Sequence, residues 1–406
     1  MPSRRPTWVT EEFHRIPRFM NSPISHADRS QWLLRDDTTY LNHGSFGPPP
    51  REVWEAQRTW QQACSQQPMD FYLRQMESAW FDAQHQLARW IDCDSSCLAL
   101  FENATQAMNQ LAYSFPLKRG QQVLLNPHEY GVVRSIWERR CQEVGASIID
   151  AHLPLPLDDP MQVVDAYRRA HTEHTALWIV SHITSPTAIT LPVERLSREA
   201  ASLGVPLAID GPHAPLQVPL SLRQLDCDFY LASCHKWLSA PLGSGFLFAN
   251  PRWHHALDKP LCLSWGRLKP RQVENWSDHY LWTGTRDVSP LLTIPTAIDW
   301  FNQRDPDAVR IRNHDLAQFA RQTLLDLLKT SALVPDAPQW YSMMAAVWLP
   351  EGDHRSIQQE LWRLGRIEVP IVEFQGRHLI RVSCHLYNDQ EDILHLARTL
   401  QKALNT

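Results

Sequence analysis

Lys236 and Asp210 are the residues of this chain with the clearest chemistry. Each closes a short apolar run. Phe229 to Ala232 leads through Ser233, Cys234 and His235 to Lys236, and Leu207 to Ile209 leads to Asp210. Only six lysines occur among 39 basic residues (Lys118, Lys236, Lys259, Lys269, Lys329 and Lys402), so a lysine at a strand end stands out against arginine. An amine placed there is desolvated, its pKa falls, and it becomes a nucleophile toward an aldehyde. A carboxylate at a neighbouring strand end has the complementary use. Facing a pyridine nitrogen, it keeps that nitrogen protonated and makes the ring an electron sink. An aldehyde cofactor with a pyridine ring requires both groups. Taken alone, Asp210 suits capping of the following helix equally well.

Further polar groups sit at the same kind of position. Asn103, Ala104 and Thr105 close one apolar run and open a helix. Free amides and a hydroxyl at a helix N-terminus favour a phosphate, although an ordinary N-cap has the same composition. Tyr130 opens the helix after the next strand, where its face suits stacking on a planar ring or a place in the core. Ser181, His182, Thr184 and Ser185 end another strand, within reach of ring substituents. His213, three residues beyond Asp210, is placed to meet the ring's phenolic oxygen. Ser233 and His235 flank Lys236 and offer phosphate contacts. No GxGxxG follows the first strand, which disfavours a dinucleotide site, and no GxSxG nucleophile elbow occurs.

These residues need a scaffold that aligns strand ends. From residue 97 the pattern alternates, with strands expected at 97–103, 122–127, 146–153, 176–183, 206–211, 229–234 and 245–250. Helices are expected between the first six, most clearly at 104–115, 130–144 and 193–203. Such alternation predicts an α/β fold with a mostly parallel seven-stranded sheet and helices on both faces. The last strand follows too closely for a helical crossover, so it is expected to run antiparallel. In open sheets of this kind ligands bind beyond the carboxyl ends of the strands, where the selected residues lie. After about residue 290 the texture changes to a helix over 296–329, strands at 345–350, 366–374 and 378–388, and a closing helix at 391–404. This reads as a smaller α+β domain. The expected organisation is a large domain at 40–289, a small one at 290–406, and an N-terminal segment, 1–39, packed on the small one.

Composition narrows the classes. A net charge of −5 and a pI near 6.4 give no electrostatic reason to bind nucleic acid. No apolar run approaches the roughly 20 residues of a membrane span, and the N-terminus has no apolar core of a secretory signal. Eight cysteines in 406 residues are too sparse for a disulfide scaffold, which favours a reducing compartment and a cytoplasmic protein. Cys93 and Cys97 lack a second Cys/His cluster at zinc spacing, so no metal is expected.

The segments YLNHGSFGPPP (40–50), FENATQAMN (101–109), HEYG (128–131), SHITSPTA (181–188), IDGPHAP (209–215), SCHKWL (233–238), WTGTRD (282–287), RIEVPIV (366–372) and IRVSCHLYN (380–388), in this order, resemble the class V aminotransferase family. These are fold type I enzymes that use pyridoxal 5′-phosphate, and the closer likeness is to the isopenicillin N epimerase-like branch. The resemblance implies that Lys236 bonds the cofactor aldehyde and Asp210 pairs with the ring nitrogen. It implies that Tyr130 takes the stacking position usually filled by histidine in cysteine desulfurases. Ala104, Thr105, Ser233 and His235 look like phosphate ligands. Thr285 looks like a ligand for the phosphate of a neighbouring subunit, because sites in this family lie at a homodimer interface. Arg381 resembles the residue that grips a substrate α-carboxylate; its alternative is a strand ion pair. Asn42 and His43 match a loop near the substrate.

The implied substrate is a small amino acid or a relative of one. The family's desulfurases carry a mobile cysteine before the carboxylate-binding arginine, but here that stretch reads GRIEVPIV (365–372). Cys384 follows Arg381 on a strand, where a thiol is buried and inert, so persulfide chemistry is disfavoured. Epimerisation, β-elimination of a C–S bond and transamination share every residue named above. Epimerisation alone needs a second acid, for which His43, His213 and Tyr387 are candidates. A non-catalytic relative that keeps the fold as a scaffold is the reading from another class.

Overall fold

The computed structural model describes residues 29–267 and 273–405. Seven strands form the main sheet: β1 Leu98–Phe101, β2 Gln122–Leu125, β3 Ser147–Asp150, β4 Thr175–Ser181, β5 Leu207–Asp210, β6 Phe229–Ser233 and β7 Gly245–Ala249. Their order is β1-β7-β6-β5-β4-β2-β3. All neighbours are parallel except β7, which runs antiparallel to both β1 and β6. The short segment between Ser233 and Gly245 leaves no room for a crossover helix, and the expected reversal follows.

Side chains alternate between the two faces of each strand. Leu124, Trp178, Val180, Ile209 and Tyr230 face the helices Pro160–Ala170 and Val193–Leu203. Val123, Leu125, Ile179, Ala208 and Leu231 face the helices Ala104–Ser114 and Gly131–Val144. Both faces are dry, so the strands read as unbroken apolar runs rather than as alternating ones. Ser181 pairs with Asp210 and Asp210 with Leu231, which sets the polar carboxyl ends of three adjacent strands side by side.

A second, antiparallel sheet holds β8 Met344–Trp348, β9 Ile371–Phe374 and β10 Arg377–Ser383, in the order β9-β10-β8. The helices Pro306–Leu328 and Gln390–Leu404 belong to this half. One buried apolar cluster joins the two halves, from Val180 and Ile209 to Val347 and Ile380. Thr39–Tyr40 pairs in parallel with Ile367–Glu368. Trp32 is buried, with its ring 5.6 Å from Trp300 and 5.0 Å from Tyr387, centre to centre. The rest of the expected N-terminal segment, residues 1–28, lies outside the described residues.

Three expectations in the C-terminal half are corrected. The helix over 296–329 is two helices, Ile294–Asn302 and Pro306–Leu328. Proline cannot sit in a helix interior but suits a first turn, and Asp305 caps it by accepting from the Asp307 amide at 3.1 Å. The strand over 366–374 breaks at Val369 and Pro370, because Pro370 has no N–H to give; its carbonyl accepts from the Arg381 amide instead. The strand over 378–388 stops at Ser383, and residues 384–388 turn away. The Asn388 side chain fixes that turn, accepting from the His385 amide at 3.1 Å and donating to the Tyr40 carbonyl at 3.0 Å. Among the described residues no helix is long and apolar enough to cross a bilayer.

Candidate active site

Asp210 ends β5, and a tight turn after β6 carries Lys236. The turn is closed by the Ser239 amide on the Lys236 carbonyl at 2.9 Å and the Ala240 amide on the Cys234 carbonyl at 3.1 Å. Burial pushes the Lys236 amine well below its ordinary range, the Arg381 charge pushes it further, and Asp210 partly offsets both. Burial likewise raises the Asp210 carboxyl, with the Lys236 charge opposing. Neither group has a hydrogen bond to any described residue. A buried acid and a half-buried amine, each in the other's field and neither bonded, are poised to gain partners.

His213 stands beside them, buried. The Trp237 indole N–H donates to its Nδ1 at 3.1 Å, so the ring proton sits on Nε2. That Nε2 is buried without a partner. Burial, Lys236 and Arg381 all hold the ring far below its ordinary pKa, so it is neutral. His213 therefore presents one N–H donor.

At the first strand's end, Asn103 caps the helix Ala104–Ser114 by accepting from the Gln106 amide at 2.9 Å, as its alternative reading required. The Ala104 amide donates to the Ser233 hydroxyl at 3.2 Å, which brings the ends of β1 and β6 together. Thr105 is exposed, with its amide free of any described partner. His235 donates from Nδ1 to the Ser244 carbonyl at 3.0 Å. Its Nε2 thus carries a lone pair, and burial beside Lys236 lowers the ring to about 4. It can donate to an anion only by taking a second proton, which an arriving dianion favours. Tyr130 is 46% exposed at the start of the helix Gly131–Val144, with no described ring packed against it.

Arg381, on β10, is buried to 5% exposure and has no carboxylate partner among the described residues, so the strand ion pair is ruled out. It donates to the Ser185 carbonyl, to the Ser185 hydroxyl at 3.3 Å and to the Ser45 hydroxyl at 3.0 Å. Its Nε is buried without a partner. Desolvation lowers the guanidinium to about 10, which leaves it charged. A buried, unpaired guanidinium is costly unless an anion completes it.

His43 is the main departure from expectation. It is fully buried, with Nδ1 2.9 Å from the Tyr387 hydroxyl and Nε2 3.0 Å from the Lys236 carbonyl and 3.2 Å from the Ser239 hydroxyl. Both nitrogens are engaged within the protein, so His43 has none left for a substrate. Tyr387 is equally committed, and two of the three candidate second acids fall away. Asn42 is half-buried, with its side-chain oxygen unbonded. His182 is bonded to the Tyr230 hydroxyl at 2.8 Å, so its Nδ1 is not free for a ring substituent. Thr184 bonds Thr187, while the Ser185 side chain reaches Arg381 and the His182 amide donates to the Asp210 carbonyl at 2.9 Å. Thr285 is exposed and makes none of these contacts.

Several contributors were not anticipated. Ser45 and Trp237 are polar side chains that hold Arg381 and His213. Glu129 is buried, accepting from the Ser181 amide at 2.8 Å and hydroxyl at 2.6 Å, and burial beside Asp210 raises it to about 8. Gly47 lies so close to the Lys236 turn that a Cβ there would stand 2.3 Å from the Lys236 carbonyl oxygen. That glycine in GSFGPPP was a legible signal of close approach; the pairing of Ser45 with Arg381 was not.

The open valences of this site fit pyridoxal phosphate. Lys236 matches the aldehyde, Asp210 the ring N–H, the His213 Nε2–H the phenolic oxygen, and the Ser233 hydroxyl with the Thr105 amide the phosphate. The Arg381 guanidinium is left for a carboxylate.

The sequence model of the family described as aminotransferase class-V matches residues 69–396. The chain is 34% identical over 384 residues to an isopenicillin N epimerase of Streptomyces clavuligerus, covering 92% of this chain and 96% of that one. It is 35% identical over 395 residues to an isopenicillin N epimerase of Amycolatopsis lactamdurans, covering 92% and 97%. A putative L-cysteine desulfhydrase of Oryza sativa subsp. japonica is 27% identical over 408 residues, covering 89% and 82%. Among solved structures, a lysine variant of C-DES with glycine covalently linked to its PLP cofactor has a TM-score of 0.81 at 20% identity, covering 92% and 99%. That likeness bears on the fold.

Proposed function

The chain belongs to the aminotransferase class-V family, and from that premise we propose that it is a pyridoxal 5′-phosphate enzyme acting at the α-carbon of an amino-acid-like substrate, as an isopenicillin N epimerase-like epimerase. The observation that carries this reading is the placement of Lys236 and Asp210 at adjacent strand ends, the acid buried and the amine half-buried, each in the other's field and neither hydrogen-bonded. When bound, the cofactor supplies an aldehyde carbon for an amine and a ring that accepts the electron pair left at the α-carbon. Asp210 holds the proton on the ring nitrogen. Arg381 leaves Ser185 or Ser45 to grip the substrate carboxylate in bidentate fashion. Lys236, with its amine pKa lowered, takes the α-proton at Nζ near neutral pH. Of the three groups weighed as a second acid, His43 and Tyr387 are engaged with each other, and the His213 Nε2–H, matched above to the phenolic oxygen, is the one left unbonded within the protein.

Ala104, Thr105, Ser233 and His235 are the phosphate end, and Tyr130 covers the ring face. In this reading residues 40–289 carry the cofactor and residues 290–406 bring Arg381 to it. Epimerisation is favoured over β-elimination by the 34–35% identity to epimerases against 27% to a desulfhydrase. A homodimer suits the surface. Leu261, Leu263 and Trp265 are exposed at 55%, 87% and 70%. They are tied to the Thr285 segment by the Cys262 thiol on the Thr283 carbonyl at 3.1 Å. A second copy covering them would receive Thr285 at its phosphate end. All eight cysteines are free, which suits the cytoplasm.

The test is incubation of the coloured protein with a panel of amino acids in deuterated water. Stereoinversion with α-deuteration and no keto acid supports the epimerase. Keto acid with released thiol supports the lyase, and keto acid with an aminated cofactor the aminotransferase.

A further inference from the structure

His43 was expected near the substrate, yet it lies behind the Lys236 turn with both nitrogens engaged. The Lys236 carbonyl only accepts, so His43 Nε2 carries the ring proton and donates to it at 3.0 Å. Nδ1 is then a lone pair, and the Tyr387 hydroxyl donates to it at 2.9 Å. The chain of bonds runs in one direction, from the tyrosine through the imidazole to the backbone of Lys236. The ring is also clamped by packing. It stacks on His385 at 3.9 Å and 13°, with Trp237 at 5.3 Å and Trp32 at 6.2 Å. Burial lowers His43 to about 3, so this single tautomer persists at any working pH.

The same loop also touches the carboxylate grip. The Ser45 hydroxyl accepts from Arg381 at 3.0 Å. The Gly44 amide donates to the Ser383 hydroxyl at 3.2 Å, and the Ser383 amide to the Leu41 carbonyl at 2.9 Å. Gly47 presses on the Lys236 and His235 carbonyls. Residues 41–47 thus bridge the strand of Arg381 and the turn of Lys236. The two groups that must act on one substrate come from separate sheets, and no hydrogen bond joins them directly.

We propose that His43, oriented by Tyr387, is a positioning residue that fixes Lys236 at the distance from Arg381 which proton transfer requires. This rests on the reading of Lys236 and Arg381 given above. The amine reaches the α-carbon only when the carboxylate, held at Arg381, and the lysine backbone are in register. Misplacement of order 1 Å in such a geometry costs about 100-fold in rate.

Holoenzyme variants H43L, H43Q and Y387F test this by three readouts: the pH midpoint of the visible band, α-deuterium exchange split into kcat and KM, and the thermal unfolding midpoint. H43L is expected to keep the band, shift its pH midpoint, and lose about 100-fold in kcat with KM little changed. H43Q, whose amide can donate to Lys236 and accept from Tyr387, is expected to recover most of that loss. Y387F is expected to lose about tenfold, since only the orienting bond is gone. Lowered thermal stability in H43L with kcat and band midpoint unaltered overturns the proposal. If H43L does not fold, wild-type kcat and band midpoint in Y387F overturn it. A colourless wild type sinks the cofactor reading and this proposal together, whereas a coloured wild type with unaltered variants sinks this proposal alone.

Discussion

The two sides of the Lys236 turn differ in one respect that matters. On both, histidines and other polar groups are buried among aromatic rings. Behind the turn, His43 and Tyr387 complete each other's hydrogen bonds and the ring proton has one place to be. In front of it, the Asp210 carboxylate, the Lys236 ammonium, the His213 Nε2–H and the Arg381 Nε are left open. Arginines show the same contrast. Arg267 is mostly buried and paired with Glu77, while Arg381 is buried and faces only hydroxyls and a carbonyl. Leaving a buried polar group unbonded costs about 1–3 kcal/mol, so three such groups beside a half-buried amine mark where an external molecule completes the structure. Burial alone does not separate function from packing, and single unbonded atoms such as Trp300 Nε1 and Thr190 Oγ1 occur elsewhere; what distinguishes the open side is that several open groups of complementary charge converge there. His385 is the exception on the closed side: neither ring nitrogen makes a well-formed hydrogen bond to a described residue, and the Trp237 backbone is the polar group facing it.

Substitutions that fill or empty valences on the open side should have the largest effects. Asp210→Asn removes the charge that holds the ring proton, and α-deuterium exchange is expected to fall by about 10³-fold or more with a shifted absorption band. An Asn enzyme with near-normal exchange would break the contrast. Arg381→Leu removes a charge-assisted pair, and kcat/KM is expected to fall about 10²–10³-fold, mostly through KM, as steady-state kinetics would report.

A third prediction concerns stability. His43, His128, His182 and His235 have folded pKa values lowered to about 3, 4, 4 and 4, and those of His213 and His385 also lie well below the ordinary range. The unfolded chain takes up these protons first, near pH 6.5, so stability present above that pH is lost as pH falls through it, by about 1 kcal/mol per histidine at pH 5.5. Glu129, raised to about 8, and Asp210, also raised, work the other way, because acidification relieves them. The histidines outweigh the two acids, so stability is expected to fall between pH 7.5 and 5.5 by urea unfolding of the apoprotein, and His43→Gln should remove about 1 kcal/mol of the acid sensitivity. The smallest effect should come from Ser45→Ala, which takes one acceptor from Arg381 and is expected to change KM about fivefold. An unchanged KM would mean that the loop does not hold the guanidinium.

The sequence made much of this legible, for physical reasons. Strands buried on both faces are continuous apolar runs, and their polar ends are read directly, which is how Asp210, Ser233 and Lys236 emerged. The reversal of β7 followed from the length of its connection. Breaks inside long periodic segments were harder. Pro306 and Pro370 each ended an element that periodicity alone would have continued. His43 was misjudged because motif position brings a residue near a site without saying which way its ring faces. Ser45 and Trp237 were missed because hydrogen bonds across distant segments leave no trace in spacing.

The central claim is tested most directly by reducing the holoenzyme with sodium borohydride and mapping the modified peptide by mass spectrometry. The account predicts one pyridoxyl phosphate adduct, on Lys236, absent from Lys236→Ala. An adduct on another lysine, or none in a protein saturated with cofactor, would contradict it.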